Sequence, residues 1–224
     1  MKTKLLVLIA SMVLATTSCM QTPKGEKVKS DNASEISFPK DATTHNVDLD
    51  KSGIEWLGIK PTGKHFGTLA IEHGTLYVQN EKLLGGDFTL DMNSITILDI
   101  QDSETNAKLR GHLQSADFFH VDSFPKATFR FNAVVPIENN EANEDGIILT
   151  HRIEGNLTLR GVTRKISFPA CITITSSGLK AQTSQFFINR TEWNVNYGSK
   201  SIFANLKDNF INDEMGVKIM LITE

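Results

Sequence analysis

Six histidines are the residues of this sequence best suited to bind a metal ion or to transfer protons near neutral pH. Zinc sites place their ligands at short fixed spacings, such as H-E-x-x-H on a helix. No such spacing occurs among the histidines, which are His45, His65, His73, His112, His120 and His151. We expect His65 and His73 to be surface residues rather than ligands, even if a hairpin brings them together. The sequence therefore predicts no metal site.

Nucleophilic catalysis needs a serine or cysteine beside a base, and the sequence offers no recognisable setting for either. It contains no G-x-S-x-G turn, and Gly85-Gly86 is typical of a bend between strands rather than of a phosphate-binding loop. Asp87 and Asp91 share one strand face, where solvent-facing carboxylates are the ordinary case. Cys171 lies in an apolar strand and is expected to be an inert, half-buried thiol. We therefore predict that the protein is not an enzyme and needs no cofactor.

The first 18 residues follow the three-part pattern of a secretory signal peptide. Lys2 and Lys4 form a basic start, and Leu5 to Ala15 is an apolar run of eleven residues, too short to cross a bilayer comfortably. Small residues then precede Cys19, which predicts cleavage there and lipid attached to its thiol, although Thr16 stands where such sites usually carry Leu. The alternative is plain secretion without an anchor. This N-terminus predicts a lipid-anchored protein of the bacterial cell envelope that faces the periplasm.

The next segment, residues 19–44, is polar and holds few side chains that a core could bury. This composition predicts a flexible tether between the anchor and the folded body. The formal net charge of -3 is scattered along the chain, so we expect no nucleic-acid partner. If Cys19 is acylated, Cys171 has no disulfide partner, and the core must be stable without one.

From about residue 45 apolar and polar residues alternate, which is the pattern of β-strands with one buried face. About eight such stretches are separated by turn residues, so the pattern fits a β-sandwich or a closed barrel. Residues 103–115 are the exception, because Leu109 and Leu113 lie four apart among charged residues and predict a short helix. We expect one domain, residues 45–224.

Several motifs of this region resemble the YceI-like family of exported lipid-binding proteins. They are Ile54-Glu55-Trp56, Gly63-Lys64-His65-Phe66-Gly67, Gly85 to Ile95, Leu109 to Phe119, Phe124 to Phe129, Gly155 to Thr163 and Asn189 to Trp193. The resemblance implies an all-β fold, an eight-stranded antiparallel lipocalin-like β-barrel whose elongated lumen holds a polyisoprenoid chain. One departure is Asn194-Val195, which follows Trp193 where the family usually has Gly and puts the local turn in doubt.

If the apolar faces of the strands point inward, their side chains line the lumen. The expected ligand-binding residues are Trp56, Phe88, Leu90, Met92, Phe129, Phe131, Ile153, Leu157, Phe168, Ile172, Phe186, Ile188, Val217 and Ile219. Phe118 and Phe119 follow the predicted helix and either close one mouth of the barrel or fix the helix to it. Arg190 shares the strand face of Phe186 and Ile188; it either pairs with Asp91 or Asp117 or contacts a polar head group.

Two functions remain open at this point. Periodicity cannot distinguish a packed interior from an open one. On the residue pattern alone we favour a solid core, whereas the resemblance favours an open lumen. The leading hypothesis is therefore a carrier or store of a polyprenyl or quinone-type lipid in the cell envelope. The alternative is a structural or stress-protective envelope protein with a solid-core barrel and no ligand. Chemistry on a bound lipid is a weaker third possibility.

Overall fold

The computed structural model describes residues 24–138, 141–176 and 178–223. The predicted signal peptide and Cys19 lie outside these residues. In the described part, no helix has the length and apolar character needed to span a bilayer.

Thirteen strands and one α-helix make up most of the described chain. In chain order the strands are β1 (Glu26–Val28), β2 (Ser30–Asn32), β3 (Thr43–Asn46), β4 (Gly53–Lys60), β5 (Gly63–Leu69), β6 (Ile71–Gln79), β7 (Lys82–Asp91), β8 (Lys126–Pro136), β9 (His151–Leu159), β10 (Val162–Thr175), β11 (Gly178–Gln182), β12 (Phe186–Asn189) and β13 (Glu214–Ile222). The helix is α1 (Ser103–Gln114), and short 3-10 turns occupy Met92–Ser94, Arg190–Trp193 and Lys207–Asn209.

Eleven of these strands form a closed ring with eight positions. Three positions are each shared by two short strands, namely β3 with β4, β5 with β6, and β11 with β12. Antiparallel pairing runs from β4 through β5–β6, β7, β8, β9, β10 and β11–β12 to β13, and β13 pairs with β4 again. The predicted eight-stranded lipocalin-like barrel is therefore confirmed.

Strand alternation places one apolar face toward the barrel axis. In β10, Ile166, Phe168, Ala170 and Ile172 are buried, while the residues between them are less buried. The pattern fails at one place in β8, where the pairing with β9 shifts register between Phe131 and Ala133. Such a bulge inserts one residue and exchanges the two faces of the strand beyond it. Beyond the bulge the inward side chain is accordingly Val134.

The predicted helix is present at the end of the barrel where β7 ends and β8 begins. It starts where the carboxylate of Asp102 accepts hydrogen bonds from the backbone N–H and the hydroxyl of Thr105, at 2.8 and 2.6 Å. An N-cap of this kind stabilises a helix start by about 1 kcal/mol. Leu113 is buried and Leu109 packs against the core, so the apolar stripe holds α1 over this mouth.

The segment predicted to be a flexible tether is instead part of the fold from Lys24 onward. β1 pairs in parallel with β12, and β2 pairs with β10 in the antiparallel sense. β10 contacts β11 only over Cys171–Thr175, so below that point β10 and β12 diverge. The two short strands fill this gap, and Val28 is buried in the core there. The parallel pair is also an exception to the predicted all-antiparallel architecture.

The same segment continues across the outside of the barrel to β6. Ser34 N–H donates to the Asn156 side chain on β9 at 3.1 Å. Phe38 stacks on Tyr77 of β6, with ring centroids 4.2 Å apart, and lies under the guanidinium of Arg130 on β8. β3 then pairs with β6. Residues 24–46, which we call the N-terminal strap, therefore wrap around the barrel, and the folded body begins well before residue 45.

Replacing Val28 with Asp tests whether the strap closes the barrel. A carboxylate at this buried position has to be desolvated, so we expect the free energy of unfolding to fall by about 2–4 kcal/mol. Lys29→Asp is the matched control, because Lys29 is the next residue of the strap and is exposed. Urea unfolding measures both, and equal stability of the two variants would show that the strap does not contribute to the core.

Candidate functional site

The barrel encloses an apolar lumen along its axis. The cavity has a volume of about 160 Å³ and is walled by thirty residues, of which all but Gln182 and Thr183 are apolar. All fourteen residues expected from strand parity lie on this wall: Trp56, Phe88, Leu90, Met92, Phe129, Phe131, Ile153, Leu157, Phe168, Ile172, Phe186, Ile188, Val217 and Ile219. Their contact with a ligand stays a prediction, whereas their position around one cavity is observed.

A row of phenylalanine rings forms one side of the lumen. Phe186 and Phe168 stack with centroids 4.5 Å apart, and Phe129 contacts Phe168 at 5.5 Å and Phe131 at 5.7 Å. Phe88 continues the row beside Phe131, at 6.3 Å. Phenylalanine has no hydrogen-bonding group, so this wall offers contact to an apolar chain without leaving a polar atom unsatisfied.

Two glycines make room for Phe131. A Cβ at Gly86 would lie 2.5 Å from Cε1 of Phe131, and a Cβ at Gly155 would lie 2.5 Å from its Cβ. Both separations are too short for real side chains, so a side chain at Gly86 would displace the ring, and one at Gly155 would press on the backbone of Arg130 and Phe131. The bend that the sequence predicts at Gly85-Gly86 is therefore a place of close packing inside β7, which continues through it.

Thr183 and Trp56, which carry polar atoms at the lumen wall, bond to the barrel itself. Thr183 lies at the break between β11 and β12, where its hydroxyl accepts the N–H of Ile219 at 3.0 Å and its N–H donates to the Ile219 carbonyl. The indole N–H of Trp56 donates to the carbonyl of Thr96 at 3.1 Å. These bonds leave the interior suited to an apolar ligand.

The parity argument missed part of the lining. The additional wall residues are Ile54, Leu69, Ile71, Leu76, Leu83, Ile95, Phe119, Ala127, Leu159, Ile166, Ala170, Ala181, Gln182, Thr183, Met215 and Leu221, of which Phe119 was expected only at a mouth. Many of them follow the same period-two alternation as the expected residues. Ile54, Ala127 and Leu159, for example, each lie two positions along a strand from an expected residue. Gln182 and Thr183 carry no such signal, since they line the wall where the strand is interrupted.

Loops and the helix cover the lumen at the α1 end. Phe119 lies on the lumen wall, whereas Phe118 is buried behind it with ring centroids 5.6 Å apart. Arg160 connects the covering loops by donating to the carbonyls of Ala116, Phe118 and Asn194 at 2.8, 2.6 and 2.8 Å. Phe119 thus faces the ligand space, and Phe118 fixes the loop after α1.

The departure from the family at Asn194 leaves the turn intact. Trp193 is fully buried and donates its indole N–H to the Leu157 carbonyl at 3.0 Å. Asn194 ends this 3-10 turn in the left-handed conformation, with φ of 58°. Asparagine is among the few residues other than glycine that adopt this conformation readily. The substitution therefore satisfies the same backbone requirement.

Arg190 lies outside the lumen, and the predicted pairing with Asp91 or Asp117 is wrong. Its guanidinium donates to the carbonyls of Asn212, Val195 and Ile211 at 3.0, 2.6 and 3.1 Å. Burial lowers the pKa of this guanidinium, and the nearby carboxylate of Asp213, at 3.8 Å, opposes that effect.

The reason for this placement is that β12 ends at Asn189, so the strand parity that suggested an inward Arg190 no longer applies. The side chain turns instead beneath the chain that leads into β13, and it packs over the ring of Phe118, with the guanidinium carbon 5.4 Å from the ring centroid. Arg190 therefore has a structural role, because its guanidinium holds the loop before β13 against the turn after β12.

The other groups considered for chemistry lie apart from the lumen. His65 bonds to Asp99 at 2.8 Å and His73 to Thr75 at 3.2 Å, so the two histidines do not meet. Among the described residues, no three His, Cys, Asp or Glu side chains are grouped to hold a metal ion. Ser123 and His120 are 3.0 Å apart within one turn, and neither lies on the lumen wall.

Barrel, apolar lumen and covering helix together define a lipocalin-like ligand-binding architecture. The YceI-like domain model matches residues 32–222, so the chain belongs to this family. The Protein YceI of Salmonella arizonae and that of Salmonella heidelberg are each 32% identical over 129 residues, which is 56% of this chain and 53% of the relative. The chain thus spans about half the length of the curated relatives it matches.

Solved structures show the same fold. BcnA of Burkholderia cenocepacia superposes with a TM-score of 0.59 at 18% identity, over 80% of this chain and 99% of its own. A polyisoprenoid binding domain from Saccharophagus degradans, implicated in plant cell wall breakdown, gives a TM-score of 0.54 at 16% identity, over 82% and 98%. At these identities the likeness shows the fold alone.

Replacing Arg190 with Met tests its structural role. Three carbonyls and Asp213 would lose their partner in a buried site, so we expect the free energy of unfolding to fall by about 3 kcal/mol. Arg110→Met on the exposed face of α1 is the control and should change it by less than about 0.5 kcal/mol. Loss of bound lipid at unchanged stability would contradict this role and assign Arg190 to the ligand.

Proposed function

We propose that this protein binds a long apolar isoprenoid lipid, of polyprenyl or quinone type, in its lumen and serves as a carrier or store in the bacterial cell envelope. The observation that carries the proposal is the apolar cavity along the barrel axis. A barrel of eight strands is just wide enough for side chains to fill or for one slender ligand to occupy. Open space on the axis favours the ligand.

The cavity as it stands has room for only a small apolar group, so a long tail requires the wall side chains to move. Apolar cavities of about 150 Å³ stay dry and bind small apolar molecules. This lumen has a similar volume, about 160 Å³, but it is bordered by residues of every strand position in the ring. A tail can extend along it as side chains move, and the unbranched side chains of Met92 and Met215 on the wall adapt at low cost.

The energetics are sufficient without any polar contact. Burial stabilises by about 25 cal/mol per Å² of apolar surface, so a tail that buries roughly 500 Å² gains about 12 kcal/mol before the cost of association. The wall positions no nucleophile or base toward the ligand in the described part of the chain, and Cys171 is half-buried on the strand between inward residues. These features support binding rather than catalysis.

The anchor forms part of the proposal. We infer that Cys19 carries the lipid modification expected from its small preceding residues, and that the body therefore faces the periplasm at a membrane surface. The described part of the chain begins at Lys24, five residues after Cys19. An extended chain of five residues spans at most about 18 Å. Such a short connection would keep the barrel beside the bilayer from which an isoprenoid lipid is taken.

Organic extraction of the protein purified from its native envelope tests the function. We expect mass spectrometry to detect a prenyl lipid in near-stoichiometric amount. Repeated preparations without any co-purifying apolar compound would favour the alternative, a structural or stress-protective barrel. The same samples show whether Cys19 is acylated, because the N-terminal peptide then carries the mass of the acyl chains.

Filling the lumen should abolish binding without introducing a charge. Ala181 lies on the cavity wall, so Ala181→Phe places a ring in the ligand space. We expect the extracted lipid to fall at least about tenfold, at a stability cost of about 1–3 kcal/mol from overpacking. Circular dichroism confirms that the variant is folded, and an unchanged lipid content would place the ligand elsewhere.

A pair of neighbouring substitutions on β10 provides an independent check. Ile172 points into the lumen and Thr173 is exposed on the outer face. Ile172→Asp brings a carboxylate to the apolar wall and should abolish lipid retention, because the charge cannot be solvated beside a tail. Thr173→Asp adds the same charge outside the barrel and should retain the lipid. Equal lipid content in the two folded variants would contradict an internal site.

A further inference from the structure

The outer face of the barrel carries a continuous apolar strip that the lumen does not explain. It runs across four adjacent strands and one loop, and consists of Phe187 on β12, Gly216 on β13, Leu57 on β4, Phe66 on β5 and Leu98 in the loop after β7. Phe187 pairs with Gly216, Gly216 with Leu57, and Leu57 with Phe66. Leu98 N–H donates to the Phe66 carbonyl at 2.9 Å. We call this set the outer apolar strip.

One end of the strip is exposed to solvent. Phe66 is 39% exposed and Leu98 is 52% exposed. The backbone beneath them is held firmly, because the Asp99 carboxylate accepts the N–H of Phe66 at 2.9 Å and bonds to His65 at 2.8 Å. Large exposed side chains on a fixed support are typical of a contact surface rather than of a mobile loop.

A groove lies beside these two side chains. A Cβ at Gly216 would lie 2.6 Å from the side-chain nitrogen of Gln185 and 3.0 Å from Cβ of Leu57. The space beside Gly216 is therefore filled by these neighbours, and the depression lies next to it, with walls that include Leu57, Phe66, Leu98 and Gln185. The depression opens on the outer face of strands whose inner face lines the lumen.

The charges around the groove favour an anionic partner. Lys64, Lys218 and Glu55 border it, and the nearby carboxylate of Asp99 is engaged by His65 and the N–H of Phe66. The Lys64 amine lies 6.0 Å from the Phe66 ring centroid, so its alkyl stem runs along the apolar surface while its charge stays at the edge. Apolar side chains flanked by lysines are suited to the interface of a membrane with anionic lipids.

The other end of the strip lies where the folded chain begins. A Cβ at Gly25 would lie 2.4 Å from the Gln185 carbonyl oxygen and 2.9 Å from the Phe187 ring. The strap therefore enters the fold directly over the strip. Cys19 is only six residues earlier, and an extended chain of that length reaches about 20 Å. A lipid anchor at Cys19 would hold this face, and not the opposite one, next to the bilayer.

We propose that the outer apolar strip docks on an anionic phospholipid bilayer, with Phe66 and Leu98 inserted at the head-group level and Lys64 and Lys218 facing lipid phosphates. The proposal rests on the proposed function for the acyl anchor, but the docking surface belongs to the barrel. The acyl anchor attaches the chain to the membrane, and the strip orients the barrel on its surface. Docking also places β4 and β13, which carry Trp56 and Val217 on their inner faces, beside the lipid source.

Vesicle binding by the mature chain with Cys19→Ser isolates the strip from the anchor. The vesicles contain phosphatidylglycerol and phosphatidylcholine, and flotation measures the bound fraction. We expect measurable binding that weakens at least about tenfold in Phe66→Ser/Leu98→Ser, because the inserted apolar area is lost. Val135→Ser/Ile148→Ser is the matched control, since these residues are 48% and 43% exposed and lie outside the strip. The control should bind as the parent does.

A second variant tests whether the lysines are required for binding to anionic lipid. Lys64→Gln/Lys218→Gln should lose the preference for phosphatidylglycerol over pure phosphatidylcholine while the apolar contribution remains. Equal binding of the parent and the strip variant, or no binding by either, would overturn the proposal. A change of sedimentation coefficient in the strip variant without vesicles would also overturn it, because the strip would then be an interface between two copies of the chain.

The two proposals can fail separately. A protein that releases a prenyl lipid on extraction but binds vesicles independently of the strip retains the proposed function and loses the docking surface. A protein that docks through the strip but never contains an apolar ligand loses the proposed function alone. Thermal unfolding by circular dichroism confirms that each variant is folded, so that weakened binding is not a loss of structure.

Discussion

The hydrogen-bonded closure of the strand ring is the constraint on which the rest of the structure depends. An apolar lumen stays dry only if the wall around it has no gap through which water reaches the interior. In this barrel, β10 and β12 diverge below the β10–β11 pairing, and the strap strands β1 and β2 cover the opening there. Val28 fills the space that their backbones leave. A short segment of polar composition thus covers part of an apolar interior.

Strand parity could be predicted well, because a period of two is a direct consequence of the pleat. Residues such as Phe168 and Ile172 needed no other information to be assigned to the inner face of the barrel, whereas the open lumen was expected from the family resemblance. The errors occur where the chain leaves that period. A bulge in β8 turns Val134 inward in place of Val135, and β12 ends one residue before Arg190, whose guanidinium therefore binds loop carbonyls.

The strap was missed for a different physical reason. Its strands are held mainly by backbone hydrogen bonds to β10 and β12, and backbone bonding leaves no signature in side-chain composition. Its anchoring side chains are few, chiefly Val28 in the core and Phe38 against Tyr77. A polar segment with two well-placed apolar residues has the same composition as a disordered tether, so only the three-dimensional partner distinguishes them.

The alternation that builds the lumen also gives the outer face its own character. On β13, Val217 points into the cavity while the adjacent Gly216 lies on the outer face, where Gln185, Leu57 and Phe187 pack closely against it. On β4, Trp56 lines the lumen and Leu57 belongs to the strip. β4 and β13 therefore face the ligand space on one side and a surface suited to the bilayer on the other. Only the thickness of one sheet lies between the two. An apolar molecule exchanged between them would travel a short distance, and the anchor, the strip and the lumen would act on the same side of the barrel.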